Sequence, residues 1–95
     1  MSKKLEETQL AAATAGLPKW KLEHGELVQS ISFGDFKQAM NFVNRVAALA
    51  EEAGHHPDID IRYNRVRLAL VTHDAGGITQ RDIELASKID REAPK

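Results

Sequence analysis

Three of the chain's four histidines fall in its second half: His55, His56 and His73. Imidazole titrates close to neutral pH, so such a group can give and take protons within one turnover. His55-His56-Pro57 follows directly on Gly54, where a helix is expected to stop, and His73 closes an alternating apolar run over residues 66–73. Residues 58–63 alternate as well, with Asn64-Arg65 turning the chain between the two runs. If they pair as an antiparallel hairpin, Asp58 and His73 share one end, which brings His73 beside the histidine pair. Single histidines in loops are usually solvated surface residues; three converging ones raise the alternative of an acid–base site.

Metal binding fits this pattern less well. Successive side chains diverge, so adjacent histidines rarely close on one ion, and helical zinc sites space their histidines four apart. Glu51 and His55 have that spacing, but the helix is expected to stop at Gly54 between them. The chain has no cysteine, which removes disulfides, thiolate metal sites, iron–sulfur clusters and thiol nucleophiles together. No Ser-His-Asp arrangement stands out, and Gly76-Gly77 lacks the lysine and spacing of a phosphate loop. The expectation is no metal and no cofactor. What remains is proton transfer, for example elimination of water.

Neighbouring polar residues have two readings each. Glu51 can hydrogen-bond His55 one helical turn on, or be a solvated helix carboxylate. Asp82 can orient an imidazole, or do no more than complete the capping box Thr79-Gln80-Arg81-Asp82. Pro57 locks φ near −65° and so fixes the backbone leaving the histidine pair. Tyr63 reads as strand or core packing. Trp20 walls a pocket or packs in the core.

The elements that must position these groups follow from periodicity. Residues 5–15 form a short helix stopped by Gly16, with Pro18 beyond. Residues 20–23 and 26–33 form a hairpin around His24-Gly25. Over residues 32–54, Phe36, Ala39, Met40, Val43, Val46, Ala47 and Ala50 make one apolar helical stripe, with Ser32 or Asp35 as the cap and Gly54 as the stop. Val66, Leu68 and Leu70 face one side of the last strand. A final helix after Thr79 buries Ile83, Leu85, Ala86 and Ile89, and frays over residues 91–95, where Pro94 ends it. The order is α-β-β-α-β-β-α. This predicts an α+β fold, a four-stranded antiparallel sheet with the helices on one face.

Composition bounds the class. The chain has 95 residues with 13 basic and 14 acidic side chains, a net charge of −1 and 42% hydrophobic residues. These values suit one globular domain over residues 1–95. The charge balance argues against direct nucleic-acid binding. With no apolar signal core and no membrane-length run, a cytoplasmic location is expected. Phe42 and Leu49 beside the long helical stripe, and the open edges of the sheet, predict a homo-oligomer, a tetramer in preference to a dimer.

The run Glu51-x3-His55-His56-Pro57-x5-Tyr63-x9-His73-x8-Asp82 resembles the signature of the pterin-4a-carbinolamine dehydratases, also called the dimerization cofactor of a hepatocyte homeodomain factor. Trp20, Phe33-x-Asp35-Phe36, Asn64, Thr72-His73, Gly77 and Asp82-Ile83-x-Leu85-Ala86 extend the resemblance over roughly residues 17–90. It implies the same α+β fold, and a lyase that removes water from 4a-hydroxytetrahydropterin to give quinonoid dihydropterin. That reaction recycles tetrahydrobiopterin, the cofactor of aromatic amino-acid hydroxylases. The resemblance implies catalysis by His55, His56 and His73, with His55 and His73 as the acid–base pair and His56 holding substrate. It further implies substrate contact along His55, His56, Pro57, Thr72, His73, Asp74 and Ala75, with Glu51, Asp82 and Trp20 in support. The alternative it carries is an interaction module, a dimerization cofactor or transcriptional coactivator. Such a module would use a helical surface and need none of the histidines.

Overall fold

The computed structural model describes residues 3–93. Its elements are α1 (Glu7–Ala15), β1 (Lys21–Glu23), β2 (Glu26–Ser32), α2 (Phe36–Ala53), β3 (Asp58–Arg62), β4 (Arg65–Leu70), a 3-10 turn (His73–Ala75) and α3 (Gln80–Glu92). The strands form one antiparallel sheet in the order β1-β2-β4-β3. This is the α+β architecture expected from the sequence. The chain leaves β2 through α2, returns along the far edge as β3 and enters the sheet interior as β4.

Register explains the buried face. Leu27 pairs with Leu70, Ile31 and Ile61 with Val66, and Ile59 with Leu68, so their side chains share one side. Leu27, Val66, Leu68 and Leu70 are fully buried there against Phe42 and Val46 of α2 and Leu85 and Ile89 of α3. The opposite face carries Arg62, Arg65, Arg67 and Asp60. The His24-Gly25 turn has positive φ at both residues, 51° and 77°, the geometry that a two-residue hairpin needs.

Several boundaries differ from the sequence reading, each for a physical reason. Helix α1 begins at Glu7, because the Glu6 carboxylate and the Gln9 amide close a capping box one residue earlier. Gly16 ends it at φ −84°, not in the left-handed region. Helix α2 starts at Phe36, since Asp35 and not Ser32 accepts the Gln38 N–H, at 2.8 Å. Its buried stripe is Ala39, Phe42, Val43, Val46 and Ala50. Phe42 is therefore core, whereas Phe36 is 49% exposed and Ala47 is exposed. The helix is rotated so that its Phe42 side meets the sheet.

Tyr63 is not strand packing. It lies in the turn with Asn64, at φ 53° and 67% exposed, while Arg65 already belongs to β4. Asn64 anchors this turn by accepting the Phe33 N–H at 2.8 Å and donating its side-chain amide to the Phe33 carbonyl at 2.7 Å. Strand β4 stops at Leu70, where β2 runs out of partners at Leu27, so His73 opens the 3-10 turn instead of ending a strand. In α3, Ile83 is half-buried and Asp82 takes a fully buried place. The helix continues through Glu92; Pro94 and Lys95 lie outside the described residues. Among the described residues no helix is long and apolar enough to cross a membrane.

Candidate active site

Two helix ends build the site. At the end of α2, Gly54 adopts the left-handed conformation, φ 63°, and donates its N–H to the Ala50 and Glu51 carbonyls. The His55 N–H then folds back onto the Ala50 carbonyl at 3.1 Å. This reversal turns the His55 ring inward, where the residue is buried. Opposite it, Thr79 caps α3 in the expected box with Asp82.

Asp82 contacts both the capping box and an imidazole, one oxygen for each. Oδ2 accepts the Thr79 N–H at 2.9 Å and the Thr72 hydroxyl at 2.8 Å. Oδ1 lies 2.5 Å from His55 Nε2. A fully buried carboxylate is costly unless it is paired and hydrogen-bonded, and Asp82 has both kinds of partner.

His56 points the other way. Its Nε2 lies 2.5 Å from Glu51 Oε2, and both side chains are mostly exposed. Glu51 therefore partners His56 rather than His55, because the chain reversal at Gly54 carries His55 away from the helix face of Glu51. His73, at the start of the 3-10 turn, is exposed. The three histidines meet: with Gly54, Val71, Thr72, Asp74 and Arg81 they line one cleft of about 250 Å³.

Some expected residues stand apart. Pro57 and Ala75 flank the cleft in sequence but are not part of its lining. Trp20 is buried in the core, its indole N–H donating to Asp90 Oδ1 at 2.9 Å, and is not part of the cleft wall. A larger hollow of about 310 Å³ on the open sheet face is lined by Ser30, Asp60, Arg62, Arg65, Val66 and Arg67. It holds no histidine, and Arg62 and Arg67 are already paired with Asp60 and Glu23. The histidine cleft is the chemically equipped one.

Arg81 escaped the sequence reading. It lines the cleft and donates from Nη2 to the Gly54 carbonyl at 2.8 Å, tying α3 to the end of α2. The available signal was its place in the capping box, two residues after the Thr79 cap and next to Asp82. Among the described residues no three His, Asp or Glu side chains are grouped to hold a metal ion. Each paired imidazole instead faces a single carboxylate.

The family model described as pterin 4 alpha carbinolamine dehydratase matches residues 3–92. The chain belongs to this dehydratase family. A relative from Acidobacterium capsulatum is 64% identical over 76 residues, 80% of this chain and 83% of its own. One from Chloroflexus aurantiacus is 56% identical over 87 residues, 92% of this chain and 94% of its own. Both bear the name "Putative pterin-4-alpha-carbinolamine dehydratase". A crystal structure from Brucella melitensis, titled a transcriptional coactivator/pterin dehydratase, superposes with a TM-score of 0.92 at 33% identity, covering 97% of this chain and 100% of that one. A pterin dehydratase-like protein described as a RuBisCO assembly factor of the alpha-carboxysome matches less closely, with a TM-score of 0.65, 26% identity and coverage of 80% and 88%. In this dehydratase-family chain the signature positions divide into a buried pair, His55 with Asp82, and an exposed pair, His56 with Glu51, while His73 lines the same cleft without a carboxylate partner among the described residues.

Proposed function

We propose that this dehydratase removes water from 4a-hydroxytetrahydropterins to give quinonoid dihydropterins, with His55 and His73 as the acid–base pair. The observation that carries the reading is that His55, His56 and His73 line one cleft. In the reaction the C4a–O bond breaks and the C4a=N5 bond forms. One imidazolium gives its proton to the departing hydroxyl, which leaves as water. The neutral partner takes the proton from N5, whose lone pair supplies the push. Hydroxide is a poor leaving group and N5–H a weak acid, so two positioned imidazoles, one giving and one taking a proton, suit the task.

Their settings support separate roles. His55 is buried on Asp82, which restrains the ring and its proton. His73 is exposed and can exchange protons with water between turnovers. His56, on the rim with Glu51, holds the substrate. Of the expected contact residues, His55, His56, His73 and Asp74 lie in the cleft lining and form the contact surface, and Arg81 adds a cation to it. In the cell, the reaction would recycle tetrahydrobiopterin after aromatic hydroxylation.

The test is an absorbance assay with chemically generated carbinolamine. Dehydration well above the spontaneous rate supports the proposal. A correctly folded protein that leaves that rate unchanged would refute it and favour a purely interacting role.

We also infer a homo-oligomer, a tetramer in preference to a dimer. Phe42 no longer supports this, being internal. Phe36 at 49% exposure, half-buried Leu49 and the free edges of β1 and β3 still do.

A further inference from the structure

Two threonines, Thr72 in the cleft wall and Thr79 outside its lining, are not used by the proton transfer above. Thr72 and Thr79 are 5% and 0% exposed, and their hydroxyl oxygens are 2.8 Å apart. A hydroxyl has one proton to donate. Asp82 Oδ2 already accepts the Thr79 N–H, so the short contact from Thr72 uses the Thr72 proton. Thr72 Oγ1 must then accept from Thr79, whose own oxygen accepts the Arg81 N–H at 3.2 Å. Every proton in the chain has one direction: Arg81 N–H to Thr79, Thr79 to Thr72, Thr72 to Asp82.

The consequence reaches His55. With Oδ2 saturated by two donors, Oδ1 is left for His55 Nε2 at 2.5 Å. An ionised carboxylate only accepts, so that contact places a proton on Nε2. In the neutral ring the lone pair is then on Nδ1. Nδ1 has no hydrogen-bond partner among the described residues, and no buried polar side-chain atom there lacks one, so Nδ1 is open to solvent.

We propose that Thr72 and Thr79 are positioning residues that orient Asp82, and through it hold His55 with Nε2 protonated and Nδ1 as the atom that exchanges protons in the cleft. Thr72 thus serves through Asp82, to which its hydroxyl proton is committed, and is not a substrate ligand. The kinetic consequence rests on the proposed role of His55; the tautomer does not.

The first measurement is the nitrogen–proton correlation spectrum of the imidazoles in the full, isotope-labelled chain at mildly alkaline pH. The expected result is a protonated Nε2 and an unprotonated Nδ1 for His55. A proton on Nδ1, as when Asp82 itself donates, overturns the proposal whether or not the chain turns over pterin. The second measurement compares Thr72→Val with Thr72→Ser, each checked for a native amide spectrum. The valine variant, which removes the donor to Oδ2 at nearly constant shape, is expected to mix the two tautomers and lower kcat by about 10- to 100-fold with KM nearly unchanged, the size seen when a partner that orients a functional imidazole is lost. The serine variant is expected to restore both. A change in KM alone would make Thr72 a substrate ligand and overturn the proposal, as would unchanged tautomer and kcat in the valine variant. Loss of dehydration in every form with the Nε2 tautomer intact would instead reject the proposed activity and leave the positioning network standing.

Discussion

Asp82 Oδ1 meets His55 Nε2 at 2.5 Å inside the protein, across 27 residues of sequence. The same distance separates Glu51 Oε2 from His56 Nε2 on the surface. Burial makes the two pairs unequal. Around the inner pair water cannot replace a lost partner, whereas around the outer pair it can.

Stability should follow that difference. Asp82→Ala removes the carboxylate half of the α3 capping box and strands the Thr72, Thr79 and His55 donors, at an expected cost of about 2–4 kcal/mol. Glu51→Ala should cost less than about 1 kcal/mol. Urea unfolding of the two variants measures both, and equal midpoints would contradict the account.

Catalysis should depend on the inner and facing histidines. His55→Ala and His73→Ala are each expected to slow dehydration by roughly 10- to 10⁴-fold, the upper end corresponding to full loss of general acid or base. The carbinolamine assay reads this directly. A folded double variant with unimpaired turnover would remove both residues from the mechanism.

Exhaustive chelation should leave the activity intact. Adjacent histidines diverge, and each paired imidazole in the cleft region faces one carboxylate and not a third ligand. Activity that disappears with chelator and returns with zinc or iron would show this to be wrong.

The two phenylalanines of α2 should behave oppositely. Phe42→Ala empties a fully buried site and is expected to cost about 3–5 kcal/mol. Phe36→Ala, at a position 49% exposed, should barely change the stability of the isolated subunit. Thermal and denaturant unfolding distinguish them.

Light scattering at micromolar concentration should give a multiple of the 10.5 kDa chain, four in preference to two. A mass near 10.5 kDa would refute the assembly proposed from the free edges of β1 and β3.

What the chain determined by itself was local. The stop at Gly54, the Thr79–Asp82 capping box, the His24-Gly25 turn and the antiparallel hairpin that returns His73 toward His55 all rest on short-range geometry. Such geometry operates within a turn of helix or a pair of strands, so it is legible in the residues. The tertiary structure decided whatever depended on how the elements are rotated and docked. Periodicity shows that α2 has an apolar side but not its angle to the sheet, which is why Phe42 is inside and Phe36 outside. Alternation continues through Tyr63, yet the hydrogen bonds between Asn64 and Phe33 end the strand before it. Glu51 has helical spacing to His55, but the left-handed turn at Gly54 sends that ring to Asp82. Only the docking of α3 against the end of α2 brings Arg81 to the Gly54 carbonyl and encloses Thr72, Thr79 and Asp82 behind His55. These contacts join residues distant in the chain, and no spacing rule encodes them, because they exist only once the core has excluded water between the two helix ends.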